Sequence, residues 1–172
     1  WPMEITLDAY KKALAYPLIW SGYRNTLFLA TVGTLLTMTM MVVTAYPLTK
    51  RNLKGRNFIL TLWVITMFFG GGMIPNYILM VSLGLRDTVA SFILPGMIST
   101  YYVILMRSFF LTLPRELEEA GEIDGLDLWG VFWRIAIPLS KPIIATMTLF
   151  YVVQYWNDWF DAFLYLDTTT KW

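Results

Sequence analysis

Hydrophobic and polar positions along this 172-residue chain fall into long blocks rather than short alternations. From Asn25 to Leu48 there is no charged residue. That run exceeds the about 20 apolar residues a helix needs to cross roughly 30 Å of hydrocarbon. The same pattern predicts spans over 57–74, 88–113 and 143–166, with residues 1–24 as a mixed loop or interfacial helix. Gly70-Gly71-Gly72 and Pro75 end or kink the second span, because glycine and proline weaken helices. A short interfacial helix over 76–83 and a turn at Gly84–Asp87 follow. Pro95-Gly96 kinks the third span, and Arg107 lies near its inner end, where it can snorkel. The fold class is therefore all-α: a polytopic transmembrane helix bundle with about 4 spans, forming one transmembrane domain over 1–172.

Composition agrees with the block pattern. Hydrophobic residues make up 57% and charged residues 15%, against about 25% charged in an average soluble domain. There is no cysteine and no histidine, which removes disulfides, thiolate nucleophiles, imidazole bases and the usual zinc ligands. No catalytic residue and no metal ligand is assigned. Lys50, Arg51, Lys54 and Arg56 form the densest basic cluster, and the positive-inside rule places it in the cytoplasm. Lys11, Lys12 and Arg24 fall on the outer side in this scheme. The chain opens on Trp1-Pro2 and stops at Thr170-Lys171-Trp172 without a leader or closing feature. We expect a piece of a longer chain.

Between the third and fourth spans lies a polar island, 114–142, holding six of the chain's 12 acidic residues. Pro114 suits a helix start, and Glu116, Glu118 and Glu119 favour the positive end of the helix dipole. Leu117, Ala120, Gly121 and Asp124 share one face, with a small-residue notch at 120 and 121. Gly125 is placed to end the helix in a left-handed cap, and Asp127 to cap a second helix, Leu128–Ile135. In that helix Trp129, Val131, Phe132 and Ile135 would pack on the membrane-facing body. Pro138 and Pro142 then redirect the chain. The product is a rigid helix-turn-helix elbow, either docking a soluble partner or lying at the interface. Its polar face is acidic where an anionic lipid surface selects lysine and arginine, which favours the partner.

Two further constellations carry chemistry. Gln154, Asn157, Asp158 and Asp161 recur at helical spacing beside Tyr151, Tyr155 and Trp156. Polar groups in a span usually face a cavity or bundle interior, so Gln154, Tyr155, Asn157 and Asp158 are candidates for a solute pathway. The same residues also suit a helix end emerging into the interface, where tryptophan and tyrosine belong. Thr31, Thr34 and Thr37 read as a helix-packing face. The triple glycine is not a phosphate loop, because no Gly-Lys-Ser/Thr follows.

The run Glu119-Ala120-Gly121, then Gly125, then Ile135-Ala136-Ile137-Pro138 resembles the EAA loop of binding-protein-dependent ABC importers. Pro114-x-Glu116-Leu117, Ile123-Asp124-Gly125, Phe132-x-x-Ile135 and Pro138-Leu139-x-x-Pro142 extend the match. Asn25-Thr26-Leu27, Ala45-Tyr46-Pro47, Met73-Ile74-Pro75-x-Tyr77, Gly84-Leu85-x-Asp87-Thr88 and Trp156-Asn157-Asp158 resemble the carbohydrate-uptake branch, the maltose-type permeases. The resemblance covers about residues 22–167. It departs from the family at Gly121, where alanine is usual.

The resemblance implies a coupling helix that sits in a cleft of a cytoplasmic ATPase, with Glu119, Ala120, Gly121, Asp124 and Gly125 as contacts. It implies a bacterial cytoplasmic-membrane permease, six spans in the full chain, and alternating access for a carbohydrate such as an oligosaccharide. The implied partners are a second homologous permease, an ABC ATPase dimer, an extracytoplasmic solute-binding protein and membrane lipid, with no nucleic acid. ATP and magnesium would belong to the ATPase, and this chain would hold no cofactor and catalyse nothing. Alternatives are an ABC permease for a non-sugar solute, a secondary transporter or channel, or a membrane-embedded enzyme. A transporter or channel needs an intramembrane ionisable residue, and Arg107 alone comes near; an enzyme needs a His, Cys or paired-carboxylate centre at the membrane face, and the first two are absent.

Overall fold

Pro17 opens the longest helix, because a proline at the first helical position forfeits only an N–H that lacks an intrahelical partner. The computed structural model describes residues 6–166. Trp1-Pro2 and Thr170–Trp172 lie outside them. A short helix α1 (Asp8–Leu14) leads into α2 (Pro17–Ala45), and the Trp20 indole N–H fastens the junction by donating to the Leu14 carbonyl at 2.8 Å. The first long helix therefore starts at residue 17 rather than 25 and takes Arg24 into itself. Its 29 residues reach about 43 Å at 1.5 Å each, more than a bilayer core requires. A 3₁₀ turn, Pro47–Thr49, closes its basic end.

The remaining apolar blocks break more often than expected. Helix α3 (Arg56–Phe68) stops at the glycines, and α4 (Met73–Ser82) leaves at 115° to it. Pro75 sits in the first turn of α4, where a missing N–H costs nothing, so the second block ends at 68 and not 74. Pro95-Gly96 interrupts rather than kinks the 88–113 block, leaving α5 (Ala90–Ile93) and α6 (Thr100–Phe110). The elbow comprises α7 (Arg115–Ile123), then α8 (Leu128–Val131), a π-helical turn Phe132–Ala136 and α9 (Ile137–Leu139). This second limb runs past Ile135 and through Pro138. The wider π turn relieves the clash between a proline ring and the carbonyl four residues earlier. After a 77° bend at buried Ser140, α10 (Lys141–Trp156) begins. The 143–166 block then breaks at Asn157, and α11 (Phe160–Tyr165) follows.

Among the described residues one helical stretch, Pro17–Thr49, is by itself long and apolar enough to cross a membrane. Two bent pairs reach that length only if each counts as one span, and the 88–113 block has no helix long enough. Over the four apolar blocks the structure thus has one continuous helix with broken neighbours. No strand occurs among the described residues.

α2 is central. It packs most extensively on α10 and next on α6, burying Thr37, Met38, Met41, Val42 and Ala45 on one face. Thr34 joins that face, whereas Thr31 is exposed and returns its hydroxyl to the Leu27 carbonyl at 2.7 Å. Higher up, Gly33 allows the Tyr155 ring to lie against the α2 backbone, so that the Tyr155 hydroxyl pairs with Thr37 Oγ1 at 2.9 Å.

A Cβ at residue 33 would stand 2.8 Å from Tyr155 Cζ. Gly33→Ala is expected to lower stability by about 1–3 kcal/mol through overpacking. Gly22→Ala, on the same helix with nothing within 4 Å, is expected to be neutral or stabilising by up to about 1 kcal/mol. Thermal unfolding of the two variants in detergent checks the contrast.

Candidate functional site

The elbow is built from local signals that agree. Pro114 precedes α7 in extended conformation, and Glu116 and Glu118 lie in the first turn. At the other end Gly125 adopts φ +85°, a value that costs a side-chained residue strain. Its N–H donates to the Glu122 carbonyl at 3.0 Å, and the Leu126 N–H to the Gly121 carbonyl at 2.9 Å. This pair of bonds is a Schellman closure. Asp127 then caps the second limb, its Oδ1 accepting from the Gly130 N–H at 2.8 Å. Both turn signals read from the sequence are therefore present.

The small-residue notch is not. Gly121 is buried inside the elbow, and a Cβ there would meet Ile135 Cδ1 at 2.5 Å. The isoleucine of the π turn fills the space that glycine leaves, so residue 121 faces the second limb and not an incoming surface. Glu119, Ala120, Asp124 and Gly125 remain exposed on the outer side of α7. Trp129 is 54% exposed but sets its ring edge-on to Phe132 at 5.8 Å, and Val131 and Phe132 are buried.

One contact that the pattern does not reveal fixes the elbow to the bundle. Glu118 projects from α7 towards the basic end of α2. Its Oε1 accepts from the Tyr46 hydroxyl at 2.9 Å, and its Oε2 pairs with Lys50 Nζ at 2.6 Å. Lys50 Nζ also lies 4.5 Å from the centre of the Tyr46 ring. That ring is held edge-on by Phe110 at 5.4 Å and against Phe132 at 4.9 Å. Arg107 Nε donates to the Leu48 carbonyl at 2.8 Å and ties α6 to the same 3₁₀ turn. The ends of α2 and α6 and the second limb thus meet around the Tyr46 ring, and α7 joins them through the partly buried Glu118 carboxylate. Beside the clamp lies a cleft of about 300 Å³, whose walls carry Arg51 and Arg115 as well as Glu119 and Glu122.

At the opposite end of α2 the candidate pathway residues separate. Tyr155 and Asp158 line a cleft of about 550 Å³ with Ser21 and Asn25 of α2 and apolar walls from Phe92 and Phe163. Gln154 and Asn157 do not line it, and Asn157 spends its amide on the Val153 carbonyl at 2.8 Å. Asp158 Oδ1 accepts from the Asp161 N–H at 3.3 Å, within the turn that starts α11. The break after Trp156 turns what would be a helical stripe into two directions. Ser21 and Asn25, which the pattern places in a loop and at a span edge, join the cleft because α2 already starts at Pro17.

Long apolar helices that carry an acidic two-limbed projection on one end define a membrane-embedded helical subunit. The chain belongs to the family of binding-protein-dependent transport system inner membrane components, whose pattern matches residues 13–160. It is 48% identical over 171 residues to Protein LplC of Bacillus subtilis (strain 168), covering 99% of this chain and 58% of that protein. It is 40% identical to the polygalacturonan/rhamnogalacturonan transport system permease protein YtcP of the same organism, covering 99% of this chain and 60% of that protein. Among solved structures it is similar to a chain of a bacterial ABC transporter involved in the import of the acidic polysaccharide alginate. There the TM-score is 0.94 at 34% identity, over 99% of this chain and 61% of that one. The chain thus spans about 60% of the length of these relatives.

Gly121 and Ile135 are expected to behave as a coupled pair. Gly121→Ala gains about 1 kcal/mol of helix propensity but overpacks by about 1–3 kcal/mol, for a net loss. Adding Ile135→Val is expected to recover that loss, and a double-mutant cycle on thermal stability reads the non-additivity.

Proposed function

We propose that this chain forms the transmembrane core of a permease subunit in an ATP-driven importer of carbohydrate. The observation that carries this is the elbow. It is an acidic helix held at both ends, with Glu119, Ala120, Asp124 and Gly125 exposed and Glu119 also on the wall of the cleft beside the clamp. Such a helix offers a soluble partner a fixed surface, and the basic cluster at 50–56 places that end in the cytoplasm. The partner is an ABC ATPase dimer, which holds ATP and magnesium, while this chain binds no cofactor. A second permease and an extracytoplasmic solute-binding protein complete the assembly. ATP binding closes the ATPase dimer and moves the elbows together. The bundle then opens outward to accept solute.

Carbohydrate is the cargo class that the relatives favour, since two of them are named for pectic polysaccharides or alginate. In the outer cleft Tyr155 supplies an aromatic edge, and Asn25 and Asp158 supply hydrogen-bonding groups suited to hydroxyls. Gln154 and Asn157 belong to the pathway only if the helix break at Asn157 rearranges during transport. The spans, in this proposal, are α2 and the bent pairs, completed by the rest of the full-length chain.

The test is reconstitution of the full-length permease with its partner permease, ATPase and binding protein in proteoliposomes. Uptake of labelled oligogalacturonides, alginate oligosaccharides or a neutral arabino-oligosaccharide should require ATP. Glu119→Lys is expected to weaken ATPase co-purification by about tenfold or more, equivalent to about 1.4 kcal/mol, with uptake falling alongside. Uptake that persists without ATP would instead establish a secondary transporter.

A further inference from the structure

Glu118 lies outside the set of residues assigned to ATPase contact, yet it makes the strongest bridge between the elbow and the bundle. We infer that Glu118 is a positioning residue that locks α7 to the basic end of α2 through Tyr46 and Lys50, so that α2 is the helix the elbow drives. The inference rests on the reading of α7 as the helix an ATPase moves, and deepens it by naming the linkage.

Three observations carry it. First, the bridge is anchored at both oxygens of the carboxylate, at 2.9 Å to Tyr46 and 2.6 Å to Lys50. Two different bonds to one planar group fix orientation as well as distance. Second, the side chains of Lys50 and Glu118 are only 23% and 21% exposed, so solvent screens the pair less than it would a surface pair. Third, the anchor is stiff. The Tyr46 ring is 2% exposed and wedged between Phe110 and Phe132, and the helix behind it runs unbroken from Ala45 back to Pro17. No other helix of the bundle has that property. α6 is short and joins α7 through a turn at 111–114, and α10 is separated from α7 by the second limb and a 77° bend. Among the described residues Glu118 is the one α7 side chain with hydrogen bonds to the end of α2, so it is the direct polar link by which a displacement of α7 reaches that helix. At its far end α2 supplies Ser21 and Asn25 to the outer cleft and Thr37 to Tyr155, so its motion alters that cleft directly.

These 172 residues hold no cysteine, so with any cysteine elsewhere in the full-length protein replaced, spin labelling measures the linkage. Labels at Leu35→Cys on α2, which is 68% exposed, and at Arg115→Cys at the start of α7 report the distance between the two helices. The sample is the full-length permease assembled with its ATPase in lipid nanodiscs, nucleotide-free and trapped with ATP and vanadate. With the clamp intact the distance is expected to stay the same in both states, because the helices move as one. In Lys50→Met or Glu118→Gln it is expected to change by more than about 2 Å on trapping, as elbow and helix slide apart. ATPase co-purification should persist in both variants. The exchanged pair Lys50→Glu with Glu118→Lys should return the unchanged distance. Should the single variants fail to assemble, Tyr46→Phe, which deletes one hydroxyl, is expected to show a smaller shift in the same direction. A distance that changes equally in the unmutated complex, variants that show no shift, or an exchanged pair that fails to restore it each overturn the inference. If Glu119→Lys leaves ATPase co-purification unchanged, the reading of the elbow itself falls instead.

Discussion

Glu118 holding Tyr46 and Lys50 is the interaction on which the arrangement of the basic end depends. Exposed ion pairs contribute about 0–1 kcal/mol, because water screens them and long side chains lose freedom. This one differs in kind. One partner is backed by an aromatic ring in van der Waals contact with two phenylalanines, and both charges are partly withdrawn from solvent. Removing either partner leaves a half-buried charge short of a bond, which costs more than the pair contributes. The clamp therefore acts as a constraint of geometry. It determines where α7 lies, and through the Gly121–Ile135 contact it determines where the second limb and the bend at Ser140 lie.

From that point the constraint passes along α2. The helix has its small and polar residues on the face turned to α10: Gly33 admits the Tyr155 ring, and Thr37 receives its hydroxyl. Its neighbours are broken by Gly70–Gly72, by Pro95-Gly96 and at Asn157, where bent or short helices line the bundle. One unbroken helix among broken ones concentrates stiffness in a single element. A rigid rod fixed to the elbow at one end and lining a cleft at the other suits transmission over its whole length.

Much of this was legible in the residues, and the limits are physical. Turn chemistry is local, so Gly125 and Asp127 announced the ends of the elbow's limbs, and the matched positions around Glu119 announced the family. Apolar blocks marked membrane-type segments, but composition does not say whether a glycine or proline kinks a helix or ends it. Hence 88–113 reads as one kinked helix and is two short ones. The clamp joins residues 68 positions apart, and no periodicity encodes that. Small residues at 120 and 121 looked like an open notch because the filling residue, Ile135, arrives from a π turn that shifts the register of its limb. For the same reason the polar stripe at 154–158 split, since the helix stops between Tyr155 and Asp158.

The central claim, that Glu118 and Lys50 act as one unit to hold α7, is tested most directly by hydrogen exchange. The protection of α7 amides would be measured in the assembled full-length permease for the unmutated chain, Lys50→Met, Glu118→Gln and the double variant. The account predicts that each single change lowers the local opening free energy by about 1–3 kcal/mol, and that the double variant is no worse than either. The interaction energy would then be about 1 kcal/mol or more. Effects that add to within about 0.5 kcal/mol would contradict it, and α7 would then be held by its packing alone.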